Sequence, residues 1–156
     1  MRACFLLYFV VSAVACSNGP TESEAAAVAG RYVLERVDGV SLPVAIEPGT
    51  ECPREIVSGD MGLTPRINTR EALYTVGILT APRCEPPVPP ARGTELLSDF
   101  GPWSLGNGRV TLRSERGFGT YTGQLGPGDA GGAGPVLTMQ LGGRTYTFRR
   151  VAPFGV

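Results

Sequence analysis

The sequence predicts an all-β protein, a single antiparallel up-and-down barrel of about eight strands. Three observations indicate this fold. The chain contains 22 glycines and 14 prolines, which interrupt it too often for long helices. Short runs alternate apolar and polar residues, as half-buried strands do. Turn dipeptides separate these runs at a spacing that is typical of antiparallel barrels or sandwiches and not of parallel sheets.

The first predicted strand covers residues 31–37 and ends at the turn pair Asp38-Gly39. Residues 41–46 are expected to pair back onto it as an edge, because Pro43 lacks the N–H group that a central strand needs.

Two further strands follow, over residues 56–63 and 72–80. Each is expected to direct alternate side chains to one face. In the first strand these are Val57, Gly59, Met61 and Leu63. In the second they are Tyr74, Val76 and Ile78, with Leu73 and Leu79 on the opposite face.

The second half of the chain predicts two hairpins. In the first, alternating runs that contain Trp103 and Leu112 flank the turn Gly106-Asn107-Gly108. A strand around Tyr121 follows. The second hairpin joins the run Leu137, Met139, Leu141 to the run Tyr146, Phe148 through Gly142-Gly143. The first and last strands of the barrel are expected to be adjacent.

The first fifteen residues have the features of a signal peptide. Arg2 supplies a positive charge, and residues 3–14 form an apolar run that is too short to span a bilayer core of about 30 Å as a helix. The run ends in Ala13-Val14-Ala15-Cys16, which resembles the lipobox of bacterial lipoproteins. That resemblance implies export, lipidation of Cys16 with acyl chains such as palmitate, and a membrane anchor in the cell envelope.

Ordinary signal peptidase is the alternative, since Ala13-x-Ala15 also suits it and cleavage there releases a soluble protein. The cysteine count favours lipidation. Cys4 leaves with the signal peptide, and a modified Cys16 then leaves Cys52 and Cys84 as one pair. We therefore predict three parts: a signal peptide over residues 1–15, a lipidated cysteine with a flexible tether over residues 16–29, and a barrel over residues 30–152.

Cys52 and Cys84 are predicted to form a structural disulfide in an oxidising compartment. The bond closes a loop of about 30 residues and contributes about 3–4 kcal/mol in the chain-entropy estimate. A redox or metal role favours a closer spacing such as C-x-x-C.

Composition argues against several functions. The chain has no histidine, which excludes histidine-based triads and histidine metal sites. Fourteen basic residues stand against fourteen acidic ones, without the basic block that nucleic-acid binding needs. We expect no enzyme activity, no cofactor, no metal and no nucleic-acid partner.

Aromatic side chains on the inner faces are the remaining candidates for a binding site. Filling the core is one role for them, and lining a cavity for a small apolar ligand is the other. The candidate ligand-lining residues are Tyr74, Trp103, Tyr121, Tyr146 and Phe148. Gly59 and Gly123 on the same faces leave room for a ligand or mark bulges.

Short motifs at both ends of the predicted barrel resemble the small lipocalin-like barrel lipoproteins of bacteria, many of them uncharacterised. These are Gly30-Arg31-Tyr32, the run through Val37-Asp38-Gly39, the pair Leu42-Pro43 and the run from Tyr146 to Arg150. Lipocalins carry Gly-x-Trp on the first strand, with an arginine of the last strand packed over the tryptophan. The resemblance implies that Tyr32 takes the aromatic place and Arg149 or Arg150 the arginine's, although tyrosine instead of tryptophan is a departure.

Two functions follow as hypotheses. The first is an envelope lipoprotein that binds a small apolar ligand inside its barrel. The second is a structural or protein-interaction lipoprotein of the envelope with a filled barrel. A secreted inhibitor that uses the proline-rich loop of residues 82–92 is a third, remote alternative.

Overall fold

The computed structural model describes residues 22–46, 52–66, 71–84, 94–127 and 134–154. The predicted signal peptide and Cys16, the predicted site of lipidation, lie outside these ranges, as does most of the proline-rich loop. The elements in chain order are α1 (Glu22–Val28), β1 (Gly30–Val37), β2 (Val40–Ser41), β3 (Val44–Ala45), β4 (Arg54–Thr64), β5 (Leu73–Pro82), β6 (Thr94–Gly106), β7 (Arg109–Arg113), β8 (Thr120–Gly126), β9 (Val136–Leu141) and β10 (Arg144–Pro153).

Eight of the strands form a closed antiparallel barrel, which confirms the predicted fold. From β4 to β10, each strand pairs with the next one along the chain. β1 closes the ring, because it pairs with β10 on one side and with β4 on the other. The first and last strands are therefore adjacent, as predicted.

The two ends of the barrel differ. Gly30, at the start of β1, pairs with Pro153 and Leu63, so these residues share one end with α1, which we call the helix end. Cys52 and Cys84, before β4 and after β5, mark the disulfide end. At this end β1 and β4 separate, and the short strands β2 and β3 pair with one of them each.

Tight turns connect several strands as the sequence predicts. Asp38-Gly39, Asn107-Gly108 and Gly142-Gly143 all have positive φ angles, between 52° and 80°, in the manner of type I′ turns. The turn chemistry fixes the register of the predicted hairpins β6–β7 and β9–β10.

The predicted inward face of β4 is wrong at one position. Gly59, Met61 and Leu63 are buried, but Val57 is exposed and Ile56 is buried in its place. The register between β4 and β5 shifts between Ile56 and Ser58. A β-bulge therefore inserts one extra residue and inverts the alternation on its N-terminal side.

The face assignment of β5 is confirmed. Tyr74, Val76 and Ile78 are buried, whereas Leu73 and Leu79 are exposed. By contrast, the first half of β6, residues 94–102, was not predicted as a strand. A second register shift, opposite Ile78 and Leu79, leaves Leu96 as an extra residue on the outside, and regular alternation begins only after it.

The barrel interior contains a continuous apolar core. The side chains with less than 2 % exposure come from six barrel strands and include Tyr32, Met61, Tyr74, Leu112, Met139 and Phe148. Ala25 and Val28 of α1 pack against this core at the helix end. The part of the predicted tether from residue 22 onward therefore packs on the barrel. Across the residues that the structure describes, no helix has the length and apolar character needed to cross a membrane.

Cys52 and Cys84 form a disulfide with a Cα–Cα distance of 4.6 Å, as predicted. The bond joins the chain before β4 to the chain after β5. It closes the disulfide end of the β4–β5 hairpin.

Candidate functional site

The predicted closure residues Tyr32 and Arg150 lie at the helix end. They are register partners across β1 and β10. The Tyr32 hydroxyl donates a hydrogen bond to the Val28 carbonyl, and the Arg150 guanidinium donates one to the Ala27 carbonyl. These carbonyls end α1 and have no partner within the helix. The two side chains therefore hold the capping helix on the barrel.

Arg149 has a different position. Its Nε donates a hydrogen bond to Glu35. The inward residue of this part of β10 is Phe148, so the next side chain along the strand points away from the core. Of the two arginines that the resemblance left open, Arg150 is thus the one that contacts the helix end.

The five candidate ligand-lining aromatics point into the barrel. Tyr74 and Phe148 have no exposed surface, Tyr146 and Trp103 keep 5 % and 6 %, and Tyr121 is partly buried against the core. Trp103 also donates a hydrogen bond of 2.8 Å from its indole Nε1 to the Thr64 carbonyl. All five contribute to core packing.

The inward glycines do not leave space. A Cβ atom on Gly123 would lie 2.7 Å from Leu137 Cδ1 and 2.8 Å from Met139 Cγ. A Cβ atom on Gly59 would lie 3.0 Å from Leu34 Cδ2. Side chains of neighbouring strands therefore occupy the positions where the glycines lack their own.

One buried carboxylate interrupts the apolar interior. Asp99 of β6 is 2 % exposed. Its Oδ2 accepts a hydrogen bond of 2.8 Å from the Tyr74 hydroxyl. Its Oδ1 accepts bonds of 2.9 Å from the Phe100 N–H and the Ser114 hydroxyl. Three donors thus compensate for burial of the carboxylate, as a buried charge requires.

A close approach of two backbones positions the serine donor. A Cβ atom on Gly101 would lie 2.0 Å from the Arg113 carbonyl oxygen, so only glycine fits there. The Glu115 N–H donates to the Phe100 carbonyl. The Ser114 hydroxyl accepts bonds from the Arg116 and Phe118 N–H groups, which orders the following loop.

The tyrosines around the carboxylate keep their protons. Burial, with hydrogen bonding and the charge of Asp99 as further causes, raises the pKa of Tyr74 well above its usual value. Burial and the charge of Asp99 raise the pKa of Tyr121 to about 12. Neutral phenols donate hydrogen bonds to a carboxylate, whereas phenolates would repel it. Asp99, Tyr74 and Ser114 therefore form a hydrogen-bonded cluster inside the barrel, with Tyr121 close to the carboxylate.

Sequence reasoning missed Asp99 and Ser114. In the stretch around Asp99, the apolar residues Leu96 and Phe100 are exposed and the charged residue is buried. This is the opposite of the usual distribution, in which apolar residues form the core. No motif marks Asp99, although it lies on the same inward alternation as Gly101 and Trp103 further along β6.

A shallow groove lies on the outer surface at the helix end, with a volume of about 340 Å³. We call it the helix-end groove. Six of its lining residues are Gly30, Arg31, Asp60, Gly62, Thr75 and Phe154.

No group of three or more potential metal ligands occurs within the described ranges. No protein family, no curated protein and no solved structure matches the chain. The lipocalin-like character of the molecule therefore rests on its closed eight-stranded barrel.

Proposed function

We propose that the protein is a non-enzymatic, lipid-anchored protein of the bacterial envelope, in which the barrel is a packed interaction module and not a carrier of apolar ligands. The claim that the barrel is packed rests on one observation, the absence of space between the inward side chains of the described strands. A site for a small molecule usually needs about 300–1,000 Å³.

Three features support a packed interior. The large inward side chains have little or no accessible surface, whereas a void that admits water would expose the side chains around it. Neighbouring side chains occupy the space at Gly59 and Gly123. The buried carboxylate has its partners within the fold, so it does not await a ligand.

The anchor is proposed from the sequence. The small residues before Cys16 suit lipoprotein processing, and Cys52 and Cys84 are already joined to each other. Lipidation of Cys16 then leaves the processed protein without a free thiol. Each buried CH₂ of the acyl chains contributes about 0.8 kcal/mol to membrane attachment.

The anchor is tested by expressing Cys16→Ser and wild-type protein in a bacterium that is fed labelled palmitate. We expect wild-type protein to incorporate label and to sediment with membranes, and the variant to do neither. Cys4→Ser is the matched control, because it alters a cysteine that leaves with the signal peptide. Equal membrane partitioning of wild type and Cys16→Ser would refute the anchor.

The packed barrel is tested by titrating the purified protein with an apolar fluorescent probe, 1-N-phenylnaphthylamine. We expect no saturable binding. Saturable one-to-one binding that Gly59→Leu weakens, with no effect from the outward substitution Val57→Leu, would instead support a ligand carrier.

A further inference from the structure

We propose that the helix-end groove binds the zwitterionic phosphoethanolamine headgroup of a membrane lipid. Arg31 contacts the phosphate and Asp60 contacts the ammonium group. Only the orientation toward the bilayer rests on the proposed lipid anchor; the chemistry of the groove does not.

Two opposite charges face the groove without a partner. Arg31 pairs in register with Gly62, and Asp60 pairs with Val33, so the two charged residues are diagonal neighbours across β1 and β4. Such positions lie about 7–8 Å apart. Within the part of the chain that the structure describes, neither side chain makes an ion pair or a hydrogen bond. Both are exposed.

Glycines line the floor of the groove, where neighbouring atoms leave no room for a side chain. A Cβ atom on Gly62 would lie 2.9 Å from Thr75 Oγ1, and a Cβ atom on Gly30 would lie 2.4 Å from the Ala152 carbonyl oxygen. The Thr75 hydroxyl therefore lies over Gly62, where it can donate to a phosphate oxygen. Phe154 lies at the margin and is partly exposed, so it can contact the glycerol and the first methylenes of a lipid.

The charge pattern selects among headgroups. A guanidinium group binds phosphate with several parallel N–H donors. The carboxylate of Asp60 needs a cation that donates hydrogen bonds, and a primary ammonium group has three N–H donors. Choline has none, and phosphoglycerol has no cation. Of these three headgroups, ethanolamine is the one that satisfies both side chains.

The length of the N-terminal segment favours this location. Six steps of the chain separate Cys16 from Glu22, a reach of at most about 22 Å. A lipid on Cys16 therefore keeps the helix end near the bilayer surface. Tethering raises the effective concentration of headgroups around the groove to the millimolar range, which adds to the affinity that the untethered protein has for the headgroup.

The test uses the full chain with Cys16→Ser, labelled with ¹⁵N and titrated with glycerophosphoethanolamine. We expect saturable shifts of the Gly30, Gly62 and Gly77 amides, since Gly77 pairs with Asp60. Glycerophosphocholine and glycerophosphoglycerol should bind about three- to fivefold more weakly, as the loss of one exposed charge contact predicts.

Substitutions of Arg31 and Asp60 test the proposed contacts with the phosphate and with the ammonium group. Arg31→Gln and Asp60→Asn should each weaken binding of glycerophosphoethanolamine about three- to fivefold. The matched controls Arg109→Gln and Glu115→Gln, both exposed and outside the groove, should leave it unchanged. The absence of saturable shifts at the three glycines, or equal binding by Arg31→Gln protein, would overturn the proposal.

A vesicle experiment distinguishes lipid from free headgroup. Phosphatidylethanolamine in phosphatidylcholine vesicles should increase binding of the control variants more than binding of Arg31→Gln. Binding of the soluble headgroup without this increase would overturn a lipid as the occupant. Because these experiments use protein without a lipid on Cys16, they fail or succeed independently of the lipidation test.

Discussion

Replacing Gly123 by alanine tests directly whether the barrel interior is packed. Gly123 lies on β8 and pairs in register with Met139. The added methyl group would lie 2.7 Å from Leu137 Cδ1 and 2.8 Å from Met139 Cγ, whereas carbon atoms pack at about 3.5–4.0 Å. Both neighbours must therefore move by close to an ångström.

The expected cost follows from the surroundings of these neighbours. Leu137 and Met139 are 0 % and 1 % exposed, so they cannot turn toward solvent. Overpacking of a core costs about 1–3 kcal/mol. Alanine has less conformational entropy than glycine in the unfolded state, which stabilises the folded protein by about 0.5–1 kcal/mol and offsets part of this cost. We expect Gly123→Ala to lower the free energy of unfolding by about 0.5–2 kcal/mol.

Urea unfolding with the disulfide intact, followed by fluorescence of the single tryptophan, Trp103, provides the measurement. Gly106→Ala is the matched control, because no atom lies within 4 Å of a Cβ atom built there. We expect this control to be as stable as wild type or slightly more stable. If Gly123→Ala is no less stable than Gly106→Ala, space remains beside Gly123 and the packed-barrel argument is wrong.

Three other expectations concern stability. Asp99→Asn should lower the free energy of unfolding by about 2–3 kcal/mol, because an amide places N–H donors where the carboxylate accepts bonds; the exposed Asp60→Asn should change it by less than about 0.5 kcal/mol. Replacing Cys52 and Cys84 together by alanine should cost about 3–4 kcal/mol in urea unfolding; a stability equal to that of wild type would show that the bond adds nothing. Burial raises the pKa of Tyr32 and Tyr121 to about 12, above the unfolded value of about 10. Their contribution to the free energy of unfolding is therefore complete below pH 10 and is lost as the pH rises toward 12. We expect the stability of the protein to fall across this range. Absorbance at 295 nm during alkaline titration checks this, and phenolate formation near pH 10 without unfolding would contradict it.

Much of the fold could be predicted because local signals agreed with the final structure. The pairs Asp38-Gly39, Asn107-Gly108 and Gly142-Gly143 adopt positive φ angles that few residues tolerate. Each pair fixes the register of a hairpin without help from distant contacts. The alternation in β5 was equally clear, since that strand has an apolar inner face.

The two bulges show where such reasoning fails. The extra residues Val57 and Leu96 are apolar but exposed. Strict alternation therefore places Val57 inside in place of Ile56, and in residues 94–102 no strand was predicted. A bulge is defined by the partner strand, and the sequence of one strand does not contain it. Asp99 follows the bulge and lies on the inward alternation of Gly101 and Trp103; it was missed because residues 94–102 were not predicted as a strand and because a carboxylate is not expected on an apolar inner face.

The closure of the barrel and the capacity to hold a ligand are separable properties. Tyr32 and Arg150 donate their hydrogen bonds to the last carbonyls of α1, a role that needs no cavity. Whether the barrel interior contains a cavity depends on other positions, such as Gly59 and Gly123. At these glycines the side chains of Leu34, Leu137 and Met139 occupy the available space. A lipocalin-like closure therefore identifies a barrel with a capped end, and the residues opposite the inward glycines decide whether that barrel can carry anything.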